Sequence, residues 1–442
     1  MPPVSKAISQ NLAWLQTMKQ PGGYAGPVTH YWSDSLTYTG PGTDWRYEGL
    51  IPAYISLYRK TKQAIFKTRA IECGEFILHA QCDDGSFQNS AFEANPSFKY
   101  SGTPHEAAVC NALFELAQFL RKEKMPFQKY ENAALKNIEN VHLAQFWDDK
   151  RKTFLQFQKS RLQQKNNLIV PNKIATTCEA LLHAYDATRK NTYLHTTLRA
   201  SESILEYQDK SEWNGGIYQS DMHDKIIPFY TARCIPVLVN LFERTKEEKY
   251  LDAALNAGMY VKKHQRADGF FSFGENMNDE ASPGPFFIAG AGDIGRALQS
   301  LSPYKKISIA SIIEALISSQ RKNGAFPTKE ESKELPSWKD QLGAVGWNDK
   351  ALRFLSENMN EKDVKEVVEI PSTEEKCCEG VFRETSELIS IVDPHRNEKY
   401  HWNKHEIFAR SSFIAPIFYR IGNTPIPIVS SAAAYAWQKI VR

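Results

Sequence analysis

The chain has 442 residues with 54 Lys and Arg against 51 Asp and Glu, too even a balance for the concentrated basic face that nucleic-acid binding needs. At 42% hydrophobic and 24% charged residues it reads as an ordinary globular chain; no run approaches the roughly 20 apolar residues that cross a bilayer, and the opening MPPVSKAISQNLAWLQTMKQ lacks the parts of a secretory signal. The seven cysteines are odd in number and scattered, several in apolar contexts such as AAVCNALF and TARCIPVL, so they predict buried thiols and a reduced, cytoplasmic setting.

Taken in chain order, the elements alternate between two kinds. SKAISQNLAWLQ alternates apolar and polar faces at helical spacing and ends before LQTMKQPGGY; the more apolar WRYEGLIPAYISLYRKT follows after a long loop. The same order returns five times. TRAIECGEFILHAQ leads through HAQCDDGSF to HEAAVCNALFELAQFL, and YENAALKNIENVHLAQ through LAQFWDDKRKTF to KIATTCEALLHAYDAT. YLHTTLRASESILEYQ leads through EYQDKSEWNGGIY to FYTARCIPVLVNLFERT. YLDAALNAGMYVKKHQ passes KKHQRADGFF to IAGAGDIGRALQSL, and ISIASIIEALISSQ passes SSQRKNGAF to QLGAVGWNDKALRFL.

Each turn begins with a glutamine: Gln16, Gln81, Gln145, Gln208, Gln265 and Gln320. They recur every 55–65 residues or so, a period that suits two helices and a loop. Gly ends a helix, Asp or Asn tolerates the turn, and the following aromatic can fold back on the pair. The first set reads as outer, amphipathic helices, and the second as inner helices buried on more than one side. Inner-to-outer links are short. Outer-to-inner links are long, which marks functional loops. Six such pairs predict an all-α fold, an (α/α)6 toroid over residues 1–358. The long loops gather above the N-termini of the inner helices. Residues 359–442 form an extension in which HEIFARSSFIAPIFYRIG and SSAAAYAWQKIV read as extra helices, and KDVKEVVEIPSTEEK reads as charged and exposed.

The junction ERTKEEKYLDAALNAGMYV, with looser copies in RKTKQAIFKTRAIECGEFIL and ATRKNTYLHTTLRASESIL, resembles the hairpin junctions of six-hairpin glycosidase-like toroids. That resemblance implies a carbohydrate-active enzyme on a glycosidic bond of an oligosaccharide, uronate-containing substrates included, by hydrolysis, elimination or epimerisation. HAQCDDGSF is also similar to repeats of terpenoid cyclases and prenyltransferases, so that chemistry stands as an alternative beside a non-catalytic glycan- or protein-binding toroid.

Candidate site residues follow from the starts of the inner helices. Glycosidic chemistry commonly pairs two carboxylates. Asp44, His105, Glu106 and Asp293 are the candidates for acid and base work, although Glu106 also fits a capping box with Thr103. Trp45 and Trp347 are candidate stacking surfaces. Arg46, Lys173, Tyr230 and Arg233 are candidates for binding substrate charge, and Arg233 stands out as a lone cation in an apolar helix. Glu179, among apolar residues in TTCEALLHAY, needs a partner or a raised pKa. No cofactor or metal is expected: AGAGDIG follows no strand, and Cys377-Cys378 with His395, His401 and His405 is a poor chelate. The expected partner is an oligosaccharide, with no nucleic acid and no membrane; the oligomeric state is not legible.

Overall fold

A computed structural model describes residues 3–20, 22–24, 26–30, 35–39, 43, 45–87, 105–157, 159, 168–209, 215–272, 275–276, 288, 290–328, 343, 345–367, 382–384, 388–392 and 399–403. The six outer helices are α1 (Val4–Thr17), α3 (Ala64–His79), α5 (Gln128–Asn137), α7 (Asn191–Glu206), α9 (Glu248–Lys263) and α11 (Ala310–Ser319). The inner ones are α2 (Arg46–Thr61), α4 (His105–Lys122), α6 (Pro171–Thr188), α8 (Pro228–Thr245), α10 (Ala291–Ser300) and α12 (Val345–Glu357). Each inner helix packs on the next, and α12 packs back on α2, so the ring closes. This is the (α/α)6 toroid expected from the repeat, with the six outer and six inner helices overlapping the runs read for them.

The repeated turn works as a bracket between neighbouring outer helices. Gln81 donates to the carbonyl of Gly85 in its own turn (3.1 Å) and to that of Ala133 on α5 (2.8 Å). Gln208 does the same to Gly215 (3.1 Å) and to Ala253 on α9 (2.9 Å). Gln265 reaches Gly269 (2.8 Å) and the Ser311 hydroxyl on α11 (3.1 Å). Gln320 reaches Gly324 (2.9 Å) and Ala7 on α1 (2.8 Å), which joins the last hairpin to the first. The glycines are needed twice over. Gly215 has φ +105° and Gly324 +92°, and a Cβ there would stand 2.2 and 2.1 Å from the carbonyls of Asn256 and Gln10. Phe87, Phe271 and Phe326 after the turns are buried. The fourth copy buries Ile217 instead.

The inner-to-outer junctions explain the threonines. Thr61, Thr188 and Thr245 each donate back to the carbonyl four residues earlier and accept the amide two residues later. Lys62, Arg189 and Lys246 then turn the chain in the left-handed conformation.

Two parts depart from the expectation. The last outer turn of the third hairpin is a π-helix, Ile138–Phe146. The extension begins with α13 (Glu361–Glu366), which is not a free charged segment. Ser5 on α1 donates to Glu366 (2.8 Å), and Asp363 and Val367 are buried. Beyond it, Phe382–Glu384, Leu388–Val392 and Lys399–Asn403 pair as an antiparallel three-stranded sheet, as the alternating β-branched LISIV allows. The two helices expected after it lie outside the described residues, as do Cys377, Cys378, His395 and His405.

Candidate active site at the toroid axis

Every inner helix sends charged or polar side chains to the axis, where they form one connected network. Arg233 of α8 is its hub. It donates to Glu48 of α2 (2.9 Å) and to the Thr176 hydroxyl of α6 (3.0 Å) through Nη2, and to Asp293 of α10 (3.5 Å) through Nη1. Glu179 of α6 lies 3.9 Å from the same Nη2. Glu48 and Glu179 therefore share one nitrogen, nearer each other than the roughly 10 Å upper range of paired glycosidase carboxyls.

The second support comes from α12. Lys350 bonds the Trp45 carbonyl and Asp349 (2.7 Å) and stands 3.6 Å from Glu48. Asp349 accepts the Gly49 amide (2.9 Å), and a Cβ on Gly49 would meet that carboxylate at 2.3 Å, so only glycine lets the two helices approach this closely. Pro52 inside α2 has no N–H for the Glu48 carbonyl, and Arg353 donates to that carbonyl instead (3.0 Å). The same guanidinium binds Glu115 of α4 (2.9 and 3.2 Å) and Glu357 (2.9 Å), which also takes Arg296 (2.9 Å). Three side chains of α12 thus hold the backbone of α2 on both sides of Glu48.

The network contains more acids than bases: Glu48, Glu115, Glu179, Asp293, Asp349 and Glu357 against Arg233, Arg296, Lys350 and Arg353. Its carboxyls are driven apart in acidity. Burial opposes ionisation of Glu48, but Arg233 and Lys350 outweigh it and hold the group at about 2. Burial likewise loses to Arg296 and Arg353 at Glu357, also at about 2. At Glu179 burial wins over Arg233, with Glu48 adding to it, and the group rises to about 7. At Asp349 burial, with Asp293 and Glu48, wins over Lys350 and again gives about 7. Of the three carboxylates around Arg233, Glu179 is the most accessible, 22% exposed against 7% for Glu48 and 4% for Asp293.

The expected site residues divide. Arg233 and Asp293 meet at the hub, and Trp45 and Trp347 meet as a ring pair with centroids 4.7 Å apart. Trp347 also packs on Phe229 (5.5 Å), which packs on Tyr230 (5.9 Å), so Tyr230 belongs to a buried aromatic cluster. A Cβ on Gly346 would stand 2.3 Å from the Trp45 indole nitrogen; that glycine lets the ring lie across α12. Arg46, expected to bind substrate charge, is buried and donates to the Tyr24 carbonyl, which pins the segment before α2. Glu106, expected to do acid or base work or to cap its helix, has a structural place. It is fully buried and accepts from Asn137 (2.7 Å) and the Phe87 amide (3.3 Å), which ties α4 to the preceding turn and to α5. Arg233, expected to bind substrate charge, pairs with the protein carboxylates Glu48 and Asp293 and holds the network together. Lys173 sits partly exposed in the first turn of α6. Asp44 lies outside the described residues, and of His105 only its place at the start of α4 is described.

Sequence reasoning missed Asp349, Lys350, Arg353, Glu357, Glu115 and Asn111. A signal was present: in WNDKALRFL, charges at 349, 350 and 353 interrupt an apolar inner helix, the same anomaly that singled out Arg233.

No protein-family model matches the chain, and no curated protein matches it. Solved structures do, at the level of the fold. A heparin-specific unsaturated glucuronyl hydrolase is 13% identical, with a TM-score of 0.58 over 80% of this chain and 96% of that one. The cellobiose 2-epimerase of Bacillus thermoamylovorans is 14% identical, with a TM-score of 0.60 over 80% and 98%. A D-mannose isomerase is 14% identical, with a TM-score of 0.56 over 82% and 97%. The chain is similar to these across nearly their whole length, and what they share with it is the six-hairpin toroid.

Proposed function

We propose that the chain is a carbohydrate-active enzyme that hydrolyses a glycosidic bond of an oligosaccharide at the toroid axis. One observation carries the reading: a partly exposed carboxyl, Glu179 at about 7, shares the Arg233 nitrogen with a firmly ionised carboxylate, Glu48 at about 2. Two carboxyls pushed apart in this way divide acid from base roles. Glu179 is the proton donor to the leaving oxygen. Glu48 is the ionised partner, Asp293 takes part beside it, and Arg233 fixes their spacing. Trp45, half-buried, offers a ring face to a sugar. The solved structures of like fold, whose names denote hydrolysis, epimerisation or isomerisation of sugars, support a carbohydrate substrate.

The axis also weighs between the alternatives. Terpenoid chemistry calls for a dry aromatic centre, and this centre is charged. A purely binding toroid has no need to gather carboxylates of split acidity. Free, mostly buried cysteines support a reducing, cytoplasmic setting, and no helix among the described residues is long and apolar enough to cross a membrane.

The test is a panel of neutral and uronate-bearing disaccharides, with release of reducing ends followed by NMR. Active wild type and a loss of roughly 10²–10⁴ in kcat for Glu179→Gln are expected, the usual weight of a general acid. Full activity in that variant, or no turnover across the panel, sinks the reading.

A further inference from the structure

We propose that the position beside Arg233 receives a neutral, hydroxyl-rich sugar ring and discriminates against a uronate; the proposal rests on the saccharide reading above. Four buried side chains on four inner helices, Asn111, Asn172, Asp293 and Asp349, each hold an oxygen that finds no donor among the described residues. They belong to one network. Asn111 donates to Glu48 (3.4 Å), and Asp293 accepts from Arg233 through its other oxygen. Asn172 lies one turn before Thr176, whose hydroxyl donates to the Asn172 main-chain carbonyl (3.1 Å) and accepts from Arg233, and Asp349 reaches Glu48 through Lys350.

The oxygens of Asn111, Asn172 and Asp293 are acceptors, and that of Asp349 accepts when the carboxyl is ionised and donates when it is protonated. Of the cationic donors nearby, Lys350 is given to Asp349 and the Trp45 carbonyl, and Arg233 gives Nη2 to Glu48 and Thr176 and Nη1 to Asp293. Buried acceptors without donors cost free energy, and a ligand that brings O–H groups returns it. A sugar hydroxyl brings one donor each. A carboxylate brings only acceptors, and adds negative charge beside Glu48 and Asp293, which already pair with Arg233. The imbalance selects a polyhydroxylated, uncharged ring.

Calorimetry on the full chain carrying Glu179→Gln, with cellobiose and with the same disaccharide bearing glucuronic acid as its non-reducing unit, tests this. The neutral sugar is expected to bind at least about tenfold more tightly, and Asn172→Leu to weaken it roughly 5- to 30-fold, the range for leaving a buried polar group unsatisfied. Asp293→Asn, which removes one charge and adds donors, is expected to narrow the neutral-over-uronate ratio. Equal or tighter uronate binding, or unchanged neutral binding in both Asn172→Leu and Asn111→Ala, overturns the inference. Neutral binding without wild-type turnover sinks the hydrolase reading alone. Turnover of the uronate substrate in preference, dependent on Glu179, sinks this inference alone. Failure of both sugars to bind ends both.

Discussion

The outer belt and the axis are built on opposite plans. In the belt, Gln81, Gln208, Gln265 and Gln320 repeat one device, a side-chain amide bridging a glycine turn to the next outer helix. At the axis each helix contributes its own set: Glu48 from α2, Asn111 and Glu115 from α4, Thr176 and Glu179 from α6, Arg233 from α8, Asp293 and Arg296 from α10, and Asp349, Lys350 and Arg353 from α12. Closing a ring needs one solution used again and again. A site that handles an asymmetric substrate needs different groups at each position, and so it loses the period.

The contrast is sharpest in what each region loses on substitution. Arg233→Met strands Glu48, Asp293 and Glu179 around one apolar side chain, and breaking a buried ionic network by removing one partner costs about 3–5 kcal/mol. Urea denaturation should show that loss, and Arg233→Lys should recover little of it, because an ammonium cannot fork between α2 and α10. If Arg233→Met unfolds at the wild-type midpoint, the axis is not the cohesive element described. In the belt, Gly215→Ala meets both a positive φ and a carbonyl 2.2 Å away, and a loss of about 2–4 kcal/mol is expected.

Acidity separates the regions in another way. Glu179 and Asp349, raised to about 7, favour the fold while the unfolded chain is also protonated, and that contribution fades as pH rises from about 4 through 7. Glu48 and Glu357, lowered to about 2, contribute above about 4.5 and lose it as pH falls toward 2. Urea midpoints should therefore peak near pH 5 and fall on both sides. Asp349→Asn should flatten the alkaline fall and leave the acid one; an unchanged alkaline fall would contradict the assigned acidity.

The belt was legible in the sequence because its function is repetition. The Gln, Gly and aromatic positions recur at fixed offsets, and each has a local physical reason. The axis was legible only where a charge broke an apolar helix, as at Arg233, Glu179 and Asp293. Arg46 and Glu106 show that the start of an inner helix has two sides. Their side chains turn to the Tyr24 carbonyl and to Asn137, and nothing in their spacing tells that side from the axis. Asp349, Lys350 and Arg353 were hidden because their role is to hold the backbone of α2, a contact some 300 residues away in the chain.

The smallest effects come from the belt, where the third hairpin departs from the bracket. Gln320→Ala should cost about 1–2 kcal/mol, since it removes two amide bonds at the seam that closes the ring. Gln145 occupies the matching position in the third hairpin, but the π-helix turns its amide back to the Asn140 carbonyl at the surface (2.8 Å). The link to α7 passes instead to Trp147, whose ring lies 5.2 Å from the Arg199 guanidinium. Gln145→Ala should then stay within about 0.5 kcal/mol of wild type, and Arg199→Ala should cost about 0.5–1 kcal/mol, the weight of an exposed cation–π contact. Thermal unfolding of the three variants in parallel ranks them. If Gln145→Ala proves as costly as Gln320→Ala, the third turn bridges its neighbour after all, and the π-helix does not move the link from the glutamine to the tryptophan.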